Sequence, residues 1–291
     1  MQPGSQLLKH ASIKIILWTV LINLFLSFSS KLSAKEVLLW RVIDWPPFYI
    51  LYGKDKGQGI YDKLIDKIAN ALPEYEHRTI VMNTQRVLAE LQKGTHVCHP
   101  SALSDTKAIL SKTNSFLLPH RLIVDKLYNK IGKSQQSVSL NHLLTEQKIN
   151  VGIANERYNE QLNKILKQHR KKSNLINQNN YNSLVKMFFR NRVEALIEYT
   201  PVIAYSKRIL NEKMNHTSFA ITELSETNYL PVHFACPDNK WGQSVIDKIN
   251  KVLVEESKDD DYLDFRLKWY DAASRAVLKQ YYVDDYLKDK H

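Results

Sequence analysis

The chain has 291 residues, 44% of them apolar and 24% charged, a globular balance that excludes a disordered or collagen-like protein. Lys and Arg number 41 against 30 Asp and Glu, giving a net charge of +11 and a partly basic surface. Two cysteines exclude a disulfide-dense scaffold and a four-cysteine zinc site, and leave room for one bridge.

The first element is a leader. Lys9, His10 and Lys14 precede the uncharged run Ile15–Phe28, and small residues surround Ala34. Basic, apolar and small residues in that order describe a secretory signal peptide over residues 1–34, cleaved near Ala34. Fourteen residues at about 1.5 Å each span roughly 21 Å, short of the ~30 Å hydrocarbon core, and the alternative is a tilted signal anchor that uses flanking residues. The remainder is expected to be an exported, soluble bacterial protein of the periplasm.

From there strand-like and helix-like segments alternate. Val37–Ile43 is rich in β-branched and aromatic residues and reads as a buried strand, stopped by Trp45-Pro46-Pro47-Phe48 because neither proline can donate to a ladder. Ile60, Leu64, Ile65, Ile68 and Leu72 recur at helical spacing, and Pro73 closes that helix. A strand is predicted at Arg78–Met82, a helix at Gln85–Gln92, a strand at His96–Ser101, and an extended stretch at Phe116–Tyr128. Ser134–Ser139 reads as loop. A second series follows: strand Lys148–Ile153, helix Arg157–His169, strand Leu175–Asn177, helix Ser183–Asn191, strand Val193–Ile197 and helix Thr200–Leu210. An extended Leu230–Cys236 and helices Trp241–Glu256 and Tyr262–Tyr282 complete the chain. Such alternation implies mainly parallel sheets covered by helices.

Familiar catalytic and cofactor motifs are missing. Gly57 and Gly59 lack dinucleotide-fingerprint spacing, and no Walker loop, HExxH or nucleophile elbow is present. His96, Cys98 and His99 on one strand point to opposite faces, which is poor metal geometry. The basic run from Lys164 to Lys172 has no interleaved aromatics to stack bases. Neither cofactor nor metal nor nucleic acid is therefore expected.

What the motifs resemble, as an ordered set, is the type II periplasmic solute-binding proteins of the amino-acid-binding group, family 3. The set comprises WPPF at Trp45–Phe48, the helix start GQGIYD ending at Asp62, LAELQKG at Leu88–Gly94, SDTK at Ser104–Lys107, the helix–turn–strand Tyr181–Tyr199, and Lys268-Trp269. The resemblance covers nearly the whole exported chain. It implies two α/β lobes built on two mixed sheets flanked by helices, hinged by two crossover strands, with lobe one over 35–122 and 231–291 and lobe two over 123–230. It also implies a monomer that captures a small-molecule solute in the interlobe cleft for an ABC-type permease or a membrane sensor. The same fold supports a rival reading, a dehydratase-like enzyme using Glu198, His99 or Lys107. A third reading is a ligand-free accessory protein.

The ligand site implied by the resemblance takes Trp45 and Phe48 as aromatic contacts on a loop outside the sheet core, with hydroxyls from Ser101 or Ser104. Lys107 stands where the family carries a carboxylate-clamping Arg, and Arg86 is a candidate for the missing guanidinium. Asn155, Glu198 and Tyr199 are the candidates from lobe two. With export into an oxidising compartment and both cysteines at ends of lobe-one extended segments, a Cys98–Cys236 bridge is expected.

Overall fold

The computed structural model describes residues 34–125, 127–132, 135–154, 158–171, 174–224, 228–259 and 261–286. Residues 1–33, which hold nearly all of the predicted leader, and Asn155 lie outside them. Two mixed six-stranded sheets organise the chain, and helices flank both.

The first sheet has the order β2-β1-β3-β12-β4, with β5 also on β12. Its strands are β1 Glu36–Val42, β2 Tyr75–Val81, β3 Val97–Leu103, β4 Ile109–Leu110, β5 Ser115–Leu117 and β12 Leu230–Cys236. β1 and β3 are parallel, in register Leu39 to Val97. β12 runs antiparallel to β3, β4 and β5. Helices α1 Ile60–Ala71 and α2 Thr84–Gln92 join its early strands.

The second sheet is β7-β11-β6-β10-β8-β9. It contains β6 Arg121–Val124, β7 Ser137–Val138, β8 Val151–Ala154, β9 Leu175–Gln178, β10 Ala195–Glu198 and β11 Thr217–Ile221. β8, β9 and β10 are mutually parallel, whereas β6 is antiparallel to β10 and β11. The chain therefore crosses between the sheets twice, from β5 to β6 and from β11 to β12. Returning strands reverse direction, so the mainly parallel sheets implied by simple alternation become mixed ones.

The connecting helices of the second sheet are α3 Tyr128–Ile131, α4 Leu140–His142 with a π turn Leu143–Gln147, α5 Glu160–His169, α6 Tyr181–Phe189 and α7 Thr200–Leu210. α8 Lys240–Glu256, α9 Asp261–Leu267 and α10 Ala272–Tyr281 follow β12. The continuous helix predicted over Tyr262–Tyr282 is broken, because Asp271 caps a new start: its Oδ1 accepts from the Ser274 amide at 2.9 Å. Strands β4, β7 and β11 were not legible as strands. Two of them have only two residues, and β11 depends on its register against β6.

The loop after β1 and the start of α1 form one unit. The carbonyls of Pro47 and Phe48 accept the amides of Ile60 and Tyr61 at 3.1 and 2.9 Å, supplying partners that the first helical turn lacks. Asp62 Oδ2 accepts from the Ile50 and Gly59 amides at 2.8 and 3.0 Å. A Cβ on Gly59 would sit 2.6 Å from the Phe48 carbonyl oxygen, so the loop requires glycine there. The WPPF and Gly-x-x-Asp motifs thus belong to one hydrogen-bonded corner. In the same core cluster, Cys98 of β3 and Cys236 of β12 form a disulfide with Cα atoms 4.4 Å apart. Both cysteines are fully buried. The bridge removes the metal reading of His96, Cys98 and His99, and His96 stacks on Trp241 at 4.1 Å.

Candidate functional site

A cavity of about 460 Å³ opens where the carboxyl ends of β1 and β3 face residues that follow β10 and open α5 and α6. Open α/β sheets place ligands at that end of their strands. The first sheet's layer contributes Arg41, Trp45, Thr84, His99, Ser101 and Lys107 to the wall, and the second contributes Tyr158, Asn163, Tyr181 and Tyr199.

Trp45 joins the two sides. Its ring lies 4.2 Å from Phe48, 5.9 Å from Tyr181 and 5.8 Å from Tyr199, centroid to centroid. Aromatic groups at these separations attract each other beyond simple burial. Trp45 is only 6% exposed and belongs to a core cluster that continues into α6 and α7. The expectation that this loop stands outside the core is therefore corrected: Trp45 serves both packing and the cavity.

Other candidates are redistributed. Phe48 is fully buried beneath Trp45, 5.7 Å from Tyr199, and does not reach the wall. Ser101 lines the cavity, with its Oγ accepting from the Tyr49 hydroxyl at 2.9 Å. Ser104 is exposed and its Oγ pairs with His233 Nε2 at 3.0 Å, drawing it toward β12 and off the wall. Lys107 lines the rim with Asp105 and Thr106.

Arg86 is exposed and absent from the wall. Thr84, Leu88 and Gln92, four residues apart along α2, form its cavity face. A residue two positions after Thr84 lies roughly 200° round the helix and points away.

Glu198 is fully buried at the end of β10 and turned back onto its own strand end, where Oε1 accepts from the Tyr199 amide at 2.8 Å. It is not on the wall; its neighbour Tyr199 is.

The guanidinium on the wall is one the sequence reading passed over. Arg41 of β1 is 2% exposed, with Nε donating to the Met82 carbonyl at 3.0 Å and Nη2 to Thr84 Oγ1 at 3.3 Å. The signal was present in VLLWRVI as a charge inside a strand whose neighbours are all apolar. Next to it, burial and the Arg41 charge hold the His99 imidazole well below its ordinary range, so it is neutral. Tyr158 is fixed by accepting the Ala154 amide at 2.9 Å and donating to the Ile197 carbonyl at 3.2 Å. The arrangement offers aromatic surface and polar donors around a space of small-molecule size.

No family model and no curated protein matches this chain. Solved structures do. An ancestral arginine-binding protein bound to arginine is 19% identical with a TM-score of 0.61, covering 82% of this chain and 99% of its own. A histidine kinase sensor domain with similarity to periplasmic binding proteins is 12% identical with a TM-score of 0.62, over 81% and 96%. An ancestral amino-acid-binding protein, a precursor of cyclohexadienyl dehydratase, is 15% identical with a TM-score of 0.60, over 81% and 96%. The fold is that of the two-lobed type II periplasmic binding proteins.

Proposed function

We propose that this chain is an exported solute-binding protein that takes a small polar or charged solute into the cavity between its sheets and closes over it by hinge motion. One observation carries the reading: Trp45, from the first sheet's layer, meets Tyr181 and Tyr199 of the second across a cavity of about 460 Å³. With only two crossings joining the sheets, rotation about those crossings opens and shuts the space between them. The lobes of this reading are 35–122 with 231–291, and 123–230; both boundaries fall inside strands, the first within β6 of the second sheet and the second one residue into β12 of the first. In this reading Trp45, Ser101, Lys107 and Tyr199 contact the ligand, together with Arg41 and Tyr181.

Export is supported by the signal-peptide-like leader and by the disulfide, a bond that persists in oxidising compartments. Structural neighbours include binding proteins for amino acids and a sensor domain, which supports an ABC-type permease or a membrane sensor as the partner of a monomeric binder. A thermal-shift screen of amino acids, small acids, peptides and polyamines tests the reading, with calorimetry on each hit. A hit that binds with one-to-one stoichiometry, and more weakly in Trp45→Phe, supports it. No hit across the panel overturns it, and a solute consumed during titration marks an enzyme instead.

A further inference from the structure

Arg41 poses a charge problem that its own fold does not solve. It sits one residue from the end of β1, almost wholly buried, with its guanidinium oriented by the Met82 carbonyl and the Thr84 hydroxyl. Both partners are neutral, as is the Tyr49 hydroxyl that also meets the guanidinium and that burial keeps protonated. Among the described residues no carboxylate lies within ion-pair distance of it. Burying a cation without an anion is among the costlier things a fold can do. Yet this cation is among the residues that line the cavity of about 460 Å³.

The surroundings reinforce the point. His99 Nδ1 accepts from the Ser101 amide at 3.3 Å, so the neutral ring carries its proton on Nε2 and is a donor there. The other charged wall residues are Lys107 and Asp105, both exposed at the rim. Two cations against one carboxylate leave the wall net positive, and Glu198 is turned away from it.

We infer that the cleft is built for a small carboxylate of net negative charge, held by the Arg41 guanidinium with Thr84 and His99 beside it, in preference to a zwitterion or a polycation. A guanidinium matches a carboxylate through two parallel hydrogen bonds, which a lysine at the same place does not reproduce. The ligand would supply the counter-ion that the fold omits. This assignment rests on the solute-binding reading and narrows its ligand class.

The test pairs acids with their neutral amides. The intact exported chain is titrated by calorimetry, in low-salt chloride buffer, with succinate, glutarate and benzoate, with succinamide and benzamide, and with L-glutamine, L-arginine and putrescine. Wild type, Arg41→Lys and Arg41→Gln are compared after circular dichroism has shown that each is folded. The expected result is binding of at least one carboxylate, none of its amide, a loss of tenfold or more in Arg41→Gln and a smaller loss in Arg41→Lys. Preference for amides, zwitterions or putrescine in wild type overturns the anion site and leaves the solute-binding reading standing. Carboxylate binding unchanged in Arg41→Gln does the same. Should Arg41→Gln not fold, the acid–amide comparison in wild type decides by itself. Failure of every carboxylate to bind wild type overturns the anion site, and the solute-binding reading is then decided by the wider thermal-shift screen.

Discussion

Asn182, in the first turn of α6, donates its side-chain amide to the Asp44 carboxylate at the end of β1. The contact ties the second sheet's layer to the first directly beside Trp45. Arg208 of α7 makes a second tie, to Asp55 at 2.9 Å. Both pairs join residues of the two layers, and on the hinge reading proposed above they would hold the closed arrangement.

Asn182→Ala should therefore weaken solute binding about fivefold, the equivalent of ~1 kcal/mol for one hydrogen bond to a charged group that is partly solvated. The melting temperature without solute should change little. Calorimetry with any ligand from the screen, set beside thermal unfolding of the apo protein, checks both halves. A large fall in apo stability with unchanged affinity would show that the contact holds the fold and not the closure.

Trp45→Ala should cost both stability and binding. Removing a buried indole packed on Phe48, Tyr181 and Tyr199 is expected to destabilise by about 3–5 kcal/mol. Trp45→Phe keeps most of the packing and should lower affinity with a much smaller effect on stability. Denaturant unfolding of the two variants, followed by tryptophan-independent circular dichroism, separates packing from ligand contact.

The Cys98–Cys236 bridge closes a loop with a sequence separation of 138. In the chain-entropy account such a crosslink stabilises by up to about 5 kcal/mol. Because both sulfurs are fully buried, reductant should act slowly on the native protein and quickly once it unfolds. Urea titrations with and without reductant should show a lower midpoint for the reduced form. Non-reducing peptide mapping of the purified protein should recover the two cysteine peptides as one linked species, and two free thiols would refute the bridge.

Glu223 gives a pH dependence. Burial by itself would raise its carboxyl, but the amides of Asn141 and Leu140 and the Ser139 hydroxyl outweigh burial and hold it below its ordinary value of 4.5. A depressed carboxyl stabilises the fold above pH 4.5, and that contribution disappears as the pH falls through the folded-state value. Glu223→Gln should lose on the order of 1 kcal/mol at pH 7. The gap between variant and wild type should narrow in acid. Urea midpoints for both proteins at pH 7 and near pH 3 measure this, and a gap independent of pH would contradict it.

The sequence by itself determined the elements whose signals are local. The helix over Ile60–Ala71 follows from apolar residues every three or four positions, and β1 from an apolar run halted by prolines. α7 spans the predicted Thr200–Leu210 without change, because a proline at its first turn and its own periodicity fix both ends. The ordered motifs also carried the two-lobed fold.

Tertiary structure alone decided which side chains face that cavity. Helix phase turns Arg86 outward while Thr84 and Leu88 face in, and two residues of offset are not a signal that sequence spacing reveals without knowing where the cavity lies. Glu198 and Tyr199 are neighbours in sequence, yet only Tyr199 reaches the wall, because a strand sends successive side chains to opposite faces. Arg41 looked like an isolated charge in an apolar strand. With β1 beside β3 it lies at a cavity where, among the described residues, no carboxylate is within ion-pair distance of it and Asp105 stands exposed at the rim.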